Sequence, residues 1–395
     1  MNSISKKNIV FVSISSDLYG SSKLLLSLIL QIKHKSNEFN LIVCMPYEDG
    51  PFKERLKKEQ VEIIEMPVLK LTRSMLKSLS FGKFFKEYKK GKNILESALN
   101  GRKIYCLHSN TLATLFGSFY TFRTDIFHVL HIHEIMDRPR FVRYLFASIP
   151  LFFSDKIIYN STATEVFYNK TLPLLKRKAV KIFNGVDRTR AFLQPIEREP
   201  LRKELYGIDN NTFLIGLIGR FNRLKGQPLL LDAFNEVLKK HNNCHLSLVG
   251  SPPDGQEYFL DNINNKIIEY NLNDKVTIIP FQEDIYKIID TLDVVVVPST
   301  EPESFGIIAV EAMLSKKPVI ATNLGGLADI IENNKTGILF DEPYKSELTK
   351  SLIRLIESPE LMQTLQDNAQ SSASNKFASE TMYNQFLNVY RKSSK

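Results

Sequence analysis

The residues best placed by type and spacing to do chemistry lie in Pro298-Ser299-Thr300-Glu301-Pro302-Glu303-Ser304-Phe305-Gly306-Ile307-Ile308-Ala309-Val310-Glu311-Ala312-Met313. Four valines, Val294–Val297, read as a buried strand that ends at Pro298, and the loop beyond leads into a helix. Gly306 lets the backbone come close to a ligand, and unpaired amides at a helix start can cradle phosphate oxygens. Glu303 precedes that helix and Glu311 sits about two turns into it, so both acids can line one ligand. A lone pair of acids at this spacing would more often be a solvated face. The preceding Pro-Ser and the embedded Phe-Gly argue against that here.

Two further clusters stand out. Gly219-Arg220-Phe221, followed by Lys225-Gly226, comes directly after the apolar run Phe213–Ile218. Two cations in a glycine-flanked loop can converge on one anionic group; two plain surface cations are the alternative. His128-Val129-Leu130-His131-Ile132-His133-Glu134 reads as a strand carrying three imidazoles on one face. A metal suits this poorly, because alternate residues of a strand lie ~7 Å apart. His133 stands at the strand's C-terminal end, where ligands bind in open α/β sheets. Near the start, Asp17-Leu18-Tyr19-Gly20-Ser21-Ser22 forms a strand-to-helix turn in which Gly20 permits a tight approach.

The elements that must hold these residues alternate along the chain. Strands are expected at Ile9–Ile14, Leu41–Met45, Val61–Met66, Lys103–Leu107, Phe127–Ile132 and Lys156–Tyr159, with helices such as Lys23–Lys35 and Asn110–Phe119, the latter capped by Ser109. Asn184-Gly185-Val186-Asp187 closes this half, and Gln194–Pro200 reads as a polar, proline-flanked connector. The pattern then restarts, with strands at Phe213–Ile218, Cys244–Val249, Val276–Ile279, Val294–Val297, Pro318–Ala321 and Gly337–Phe340. Helices fit Gln227–Lys240, Tyr258–Tyr270, Ile285–Leu292, Phe305–Leu314 and Ser346–Ser358, and Ser379–Tyr390 reads as a closing helix. Such alternation predicts two doubly wound α/β domains, which suits a chain of 395 residues.

Cys44, Cys106 and Cys244 are widely separated, without a C-x-x-C, and are expected to be buried free thiols in a reducing compartment. No stretch approaches the ~20 apolar residues that span a bilayer. Tyr144 to Phe153 comes nearest, and it is short and broken by Pro150. Charge is uneven. Residues 1–187 hold 29 Lys and Arg against 16 Asp and Glu, whereas the remainder holds 23 against 27. Between Lys70 and Lys92, Lys70, Arg73, Lys77, Lys83, Lys86, Lys89, Lys90 and Lys92 stand against Glu87 alone. Leu71, Met75, Leu76, Leu79, Phe81, Phe84, Phe85 and Tyr88 are interleaved with them, and the run 138–146 repeats the theme. Either this is a solvated lysine-rich face or it is a basic amphipathic surface that meets an anionic membrane. Nucleic acid explains it less well, because no recognition motif accompanies the charge.

The stretch from Glu303 to Glu311 resembles the E-x7-E signature of family 4 retaining glycosyltransferases, a group 1 type. Gly219-Arg220 with Lys225-Gly226 resembles that family's G-R…K-G element. Asn184-Gly185-Val186-Asp187 resembles its N-G-V-D turn, and Gly325-Gly326 with Thr336-Gly337 its later glycine pairs. The match is specific in the second half and looser in the first, where Tyr19 replaces the first glycine of the family's G-G-A.

The resemblance implies a GT-B fold, two Rossmann-like domains facing across a cleft. Residues 1–190 would bind the acceptor, 201–378 the nucleotide sugar, and a C-terminal helix within 379–395 would cross back. It implies Arg220 and Lys225 on the diphosphate, Glu303 on sugar hydroxyls and Glu311 on the ribose. Backbone groups of Ser304, Phe305, Gly306 and Ile307 would reach sugar or phosphate. Pro280 and Phe281 would grip the base, with Gly219 and Gly20 near the donor. His133 would contact a sugar hydroxyl, and Glu134 would position the acceptor.

The growing charge on a departing nucleoside diphosphate needs a metal or fixed cations. With no D-x-D in the chain, the cations are expected to serve, so neither metal nor cofactor beyond the nucleotide-sugar donor is expected. The expected function is transfer of a hexose or related sugar to a glycan or lipid-linked acceptor in surface polysaccharide assembly. The enzyme is expected in the cytoplasm, at the inner face of the cell membrane. A nucleotide-sugar epimerase or a non-catalytic nucleotide-sugar-binding protein of the same fold is the alternative.

Overall fold

A computed structural model describes residues 6–18, 20–70, 81–137, 140–188 and 190–393. Tyr19, the part of the basic segment from Leu71 to Ser80, and Arg138 with Pro139 lie outside the described residues. The chain forms two compact units. One runs up to Gly185 and includes the segment from Ser379 onward; the other is Val186–Ala378.

The first unit is built on a parallel sheet of seven strands: β1 (Lys7–Val12), β2 (Phe39–Met45), β3 (Glu62–Glu65), β4 (Ile104–Ser109), β5 (Phe127–Ile132), β6 (Lys156–Tyr159) and β7 (Ala179–Lys181). Their order is β3-β2-β1-β4-β5-β6-β7. The inner strands β1 and β2 carry apolar runs, Ile9–Val12 and Leu41–Met45, because helices cover both faces of the sheet. Ile9, Phe11 and Val43 pack against helices Gly20–Lys35 and Pro51–Lys58 and the terminal helix Ser379–Arg391, which contributes Met382, Phe386 and Tyr390. Val10, Val12 and Leu107 point the other way, onto Leu95 and Leu99 of helix Phe81–Leu99 and onto Phe116. Farther along that face, Leu130 and Ile157 meet Val142 and Phe146 of helix Arg140–Phe153.

The second unit carries a parallel sheet of six strands: β8 (Phe213–Ile218), β9 (Cys244–Val249), β10 (Val276–Ile279), β11 (Val294–Val297), β12 (Val319–Thr322) and β13 (Ile338–Phe340). Their order is β10-β9-β8-β11-β12-β13. Both units are therefore Rossmann-like and doubly wound. Each strand order reverses once, between β1 and β4 in the first unit and between β8 and β11 in the second. Ligands bind at such reversals, because the loops there diverge and leave a crevice at the strands' carboxyl ends.

Several expectations need correction. Ser109 does not cap a helix: it ends β4, and its hydroxyl is held 2.9 Å from His128 Nε2. The helix there is only Phe116–Thr121, and residues 110–114 form a loop. The expected connector Gln194–Pro200 is mostly helix, Pro195–Tyr206. Pro195 sits at its first position, where the missing N–H costs nothing, and Gln194 with Glu197 closes a capping box. Gly207, at φ 69°, ends the helix. Cys44, Cys106 and Cys244 are buried free thiols, and burial pushes the Cys106 thiol up to about 12. Among the described residues no helix is long and apolar enough to cross a membrane.

Candidate functional site

In the second unit the loops after β8 and β11 are sewn together by backbone. Thr300 N–H donates to Leu224 O at 2.9 Å, and Thr300 Oγ1 donates to Arg223 O at 2.9 Å. Asn222 Oδ1 accepts from the Leu224 and Lys225 amides, which fixes the turn that carries Lys225. Gly226 follows at φ 73°, and a Cβ there would lie 2.0 Å from Pro298 O, so only glycine fits. Beside it, Gly219 donates its amide to Val249 O, and Gly250 packs so closely on Gly219 O that a Cβ would stand 2.1 Å away.

These constraints deliver two side chains to one point. Lys225 Nζ donates to Glu303 Oε1 at 2.7 Å, and Ser299 Oγ donates to the same oxygen. Burial alone would raise the Glu303 carboxyl. The Lys225 charge and the hydrogen bonds from Lys225 and Ser299 outweigh it and hold the carboxyl below its usual value. Glu303's backbone is clamped as well: its carbonyl accepts from Gly326 N–H at 2.7 Å, and it forms a parallel bridge with Gly325. Gly325 has φ 65° and would place a Cβ 2.1 Å from Glu303 O.

Ser304 and Phe305 continue this loop, and Phe305 is buried edge-on against Phe377 at 5.6 Å. Gly306, at φ 107°, caps helix Ile307–Leu314. That first turn holds no acid, so its amides present positive potential. Glu311 is the fifth residue of the helix, little more than one turn in rather than two, and it is buried. Its charge adds to burial in raising the Tyr286 hydroxyl, which donates to Asp187 O at 2.9 Å. Arg220 is half-buried, and its carbonyl accepts from Gln227 Nε2 at 3.1 Å. Pro280 and Phe281 follow β10, two strands from β8. Ser251 Oγ accepts from Phe281 N–H at 3.1 Å, and the Phe281 ring is exposed.

The first unit's reversal gathers a different set. Asn110 N–H donates to Val12 O, its Nδ2 to Ser21 O at 3.1 Å, and its Oδ1 lies 3.4 Å from His133 Nε2. Asn110 thus ties the ends of β1, β4 and β5 together, a role hidden in sequence because each partner is distant along the chain. Burial drives the His133 imidazole down to about 3, so it is neutral. Gly20, at φ 30°, begins helix Gly20–Lys35, and nothing would lie within 4 Å of a Cβ there. The tight spot is Gly50, whose Cβ would fall 2.5 Å from Ser16 O.

The three histidines do not share a face. His128 has its Nδ1 2.6 Å from Phe153 O and lies on the side of Ser109, whereas His131 turns toward Phe386. Three residues of separation on a strand invert the side chain. His108, from β4, completes the set on the terminal-helix side: its ring lies 5.6 Å from that of His131, which lies 3.9 Å from that of His133. Glu134, half-buried beside His133, is braced by the loop after β4. Its carboxylate accepts from Thr111 Oγ1, from Leu112 N–H at 3.4 Å and from His133 N–H at 3.2 Å. Among the described residues no group of three or more His, Cys, Asp or Glu is arranged to hold a metal ion.

Residues 199–372 match the family model described as glycosyl transferases group 1. An uncharacterized glycosyltransferase of Methanocaldococcus jannaschii is 28% identical over 85% of this chain and 84% of its own length. The capsular polysaccharide biosynthesis glycosyltransferase CapM of Staphylococcus aureus is 27% identical over 65% of this chain and 69% of its own. Among solved structures, Anabaena HepE in complex with UDP and glucose superposes with a TM-score of 0.83 at 24% identity, covering 97% of this chain and 99% of that one. WaaG, a glycosyltransferase involved in lipopolysaccharide biosynthesis, superposes with a TM-score of 0.72 at 14% identity over 97% of this chain and 100% of its own. Such likenesses establish the GT-B fold. The match to glycosyl transferases group 1 lies within the second unit, and it marks what this part of the chain is similar to.

Proposed function

We propose that this glycosyltransferase moves a hexose from a nucleoside-diphosphate sugar to a glycan or lipid-linked acceptor, with retention of anomeric configuration and without a metal ion, during polysaccharide assembly. The observation that carries the reading is the meeting of Lys225 and Glu303 at the reversal between β8 and β11. A cation beside an acid, next to a helix start, suits a ligand with a diphosphate at one end and hydroxyls at the other. Lys225 and Arg220 take the diphosphate and offset the charge that grows as the glycosidic bond breaks. Glu303 accepts from sugar hydroxyls and Glu311 from the ribose. The amides of Ser304 to Ile307 line the phosphate, Gly219 gives it room, and Pro280 and Phe281 hold the base through their main chain.

The first unit takes the acceptor. His133, neutral and braced by Asn110, can both donate to and accept from a sugar hydroxyl. Gly20 borders the same crevice. Capsular polysaccharide biosynthesis, the role named for CapM, is the setting this reading favours.

The test is a donor screen by thermal shift, since a ligand raises the melting temperature in proportion to its occupancy. UDP-glucose comes first, because HepE binds UDP and glucose in the same fold. The best donor is then incubated with lipid-linked glycans in excess EDTA. A glycoside of unchanged anomeric configuration, formed in step with free nucleoside diphosphate, is expected. An inverted product would overturn retention, and activity lost in EDTA but restored by a divalent cation would overturn metal independence. Conversion of the donor to an isomer, with no glycoside, would overturn transfer.

A further inference from the structure

The first unit's surface holds a feature that the transfer chemistry does not use. Helix Arg140–Phe153 buries Val142, Phe146 and Pro150, yet it turns a second apolar stripe outward. Phe141 and Phe152 are each 67% exposed, Tyr144 is 55% exposed, and Leu145 is exposed with them. Phe141, Leu145 and Phe152 fall at i, i+4 and i+11, so they share one outward line. The helix contains no acid. Helix Phe81–Leu99 adds Phe85, 59% exposed, and the exposed Lys83, Lys86 and Lys89.

A run of edge-on and tilted ring contacts links the two helices. Phe85 meets Phe84 at 5.9 Å, Phe84 meets Phe119 at 5.3 Å, Phe119 meets Phe153 at 5.5 Å, and Phe153 meets the exposed Phe122 at 5.0 Å. Arg123 stands 5.1 Å over the Phe122 ring, and Arg140 is exposed at the start of the aromatic helix. The result is a band of outward aromatic side chains fringed by cations.

Water-exposed apolar surface of this extent costs free energy and is kept where something covers it. The occupant must accept aromatic rings and attract positive charge at the same time. A protein partner of matched shape would need its own acids opposite each lysine. An anionic lipid surface offers both properties everywhere. We propose that this face of the first unit docks on a membrane of anionic phospholipids, with helix Arg140–Phe153 lying in the headgroup plane. The helix is about 21 Å long, too short to span and suited to lying flat. Phe141, Tyr144, Leu145 and Phe152 enter the interface, while Lys83, Lys86, Lys89, Arg123 and Arg140 sit among the headgroup phosphates. The inference does not depend on the transfer reading, and its test measures vesicle binding rather than activity.

The chain has no tryptophan, so a single one introduced at Phe141→Trp reports its own surroundings. The full chain is floated with vesicles of phosphatidylcholine alone and of phosphatidylcholine with phosphatidylglycerol. Binding to the anionic vesicles is expected to be at least roughly tenfold stronger and to weaken with salt. The variant combining Phe141→Gln, Leu145→Gln and Phe152→Gln should lose it while keeping its melting temperature, since all three side chains are exposed. Emission from Phe141→Trp should shift to the blue on anionic vesicles, and that from Ile196→Trp, on an exposed site of the second unit, should not.

Three results would overturn the proposal. The protein could stay unbound at low salt, or the tryptophan at position 141 could show no shift. Alternatively, light scattering without vesicles could show a dimer that the triple variant dissociates, with no vesicle binding. That last result would assign the face to a second copy of this chain.

Discussion

Lys225 Nζ lies 2.7 Å from Glu303 Oε1, so the cation and the acid of the candidate donor site neutralise each other before any ligand arrives. The pair holds both side chains in place at little electrostatic expense, because each offsets the other's burial. A diphosphate entering the site meets a lysine already oriented, and the acid keeps its capacity to accept from hydroxyls.

Removing either member should therefore have unequal consequences. Lys225→Met strips the cation and leaves Glu303 buried, so the carboxyl rises and takes up a proton more readily. Turnover should fall by about 100- to 1000-fold, the scale of a lost transition-state donor. Glu303→Gln keeps the shape and removes the charge; it should weaken donor use while leaving Lys225 free to reach phosphate. Nucleoside diphosphate release, measured against donor concentration, separates the two. Unchanged kcat/KM in both variants would remove the pair from the site.

The glycines make a second, structural prediction. Gly226→Ala demands a side chain at φ 73° with its Cβ 2.0 Å from Pro298 O, and Gly325→Ala sets one 2.1 Å from Glu303 O. Each should cost at least about 1–3 kcal/mol from backbone strain alone, before the clash is counted. Gly20→Ala meets nothing within 4 Å and should cost less. Urea midpoints of the three variants give the ranking directly, and equal losses would contradict it.

The histidines predict a dependence on pH. Burial holds His108 and His133 down to about 3, and His131 well below its usual value. Their folded-state values lie under those of the unfolded chain, so the unfolded chain binds protons that the folded one refuses. Stability from these residues is complete above about pH 6.5 and is lost progressively as the pH falls toward 3. His131 has no hydrogen-bond partner on either ring nitrogen among the described residues. His131→Leu should thus cost little at neutral pH and reduce the acid sensitivity, since an apolar group of similar size replaces an unsatisfied polar one. His108→Leu should cost more, because His108 Nδ1 lies 2.6 Å from Tyr390 Oη and that partner would be stranded. Unfolding followed at neutral and mildly acidic pH distinguishes the two.

How far the site could be read in advance depended on sequence distance. Val294–Val297, the Glu303 loop and helix Ile307–Leu314 are contiguous, so a run of valines, a loop and a capping glycine announced one another. Gly219, Arg220 and Lys225 were equally readable, because the apolar run Phe213–Ile218 precedes them. Asn110 is not: its sequence context predicts the start of a helix, and only folding brings it to Ser21 and His133. His108 was silent for the same reason, since its partners Tyr390 and Phe386 lie on the last helix. The helix Pro195–Tyr206 was hidden by its own prolines. What holds it is tertiary: Arg198 and Arg202 reach Asp293 and the carbonyls that end helix Tyr286–Thr291.

That anchoring leads to the last prediction. Arg188 and Asp290 form a buried ion pair at 2.6 Å, and Asp290 also accepts from Leu193 N–H at 2.9 Å. Arg188 lies over the rings of Phe192 and Tyr286, at 4.1 and 5.1 Å. Asp290→Ala would leave the guanidinium buried without its counter-charge, a change that costs about 3–5 kcal/mol where a buried pair is broken. Arg190 and Asp284 form a pair of almost the same length, 2.7 Å, but in solvent. Asp284→Ala should cost under about 1 kcal/mol, because water screens both charges. Equal geometry with unequal burial makes the comparison sharp. If urea unfolding showed equal losses for the two variants, burial would not be what gives the inner pair its weight, and the entry of the chain into the second unit would be held by packing instead.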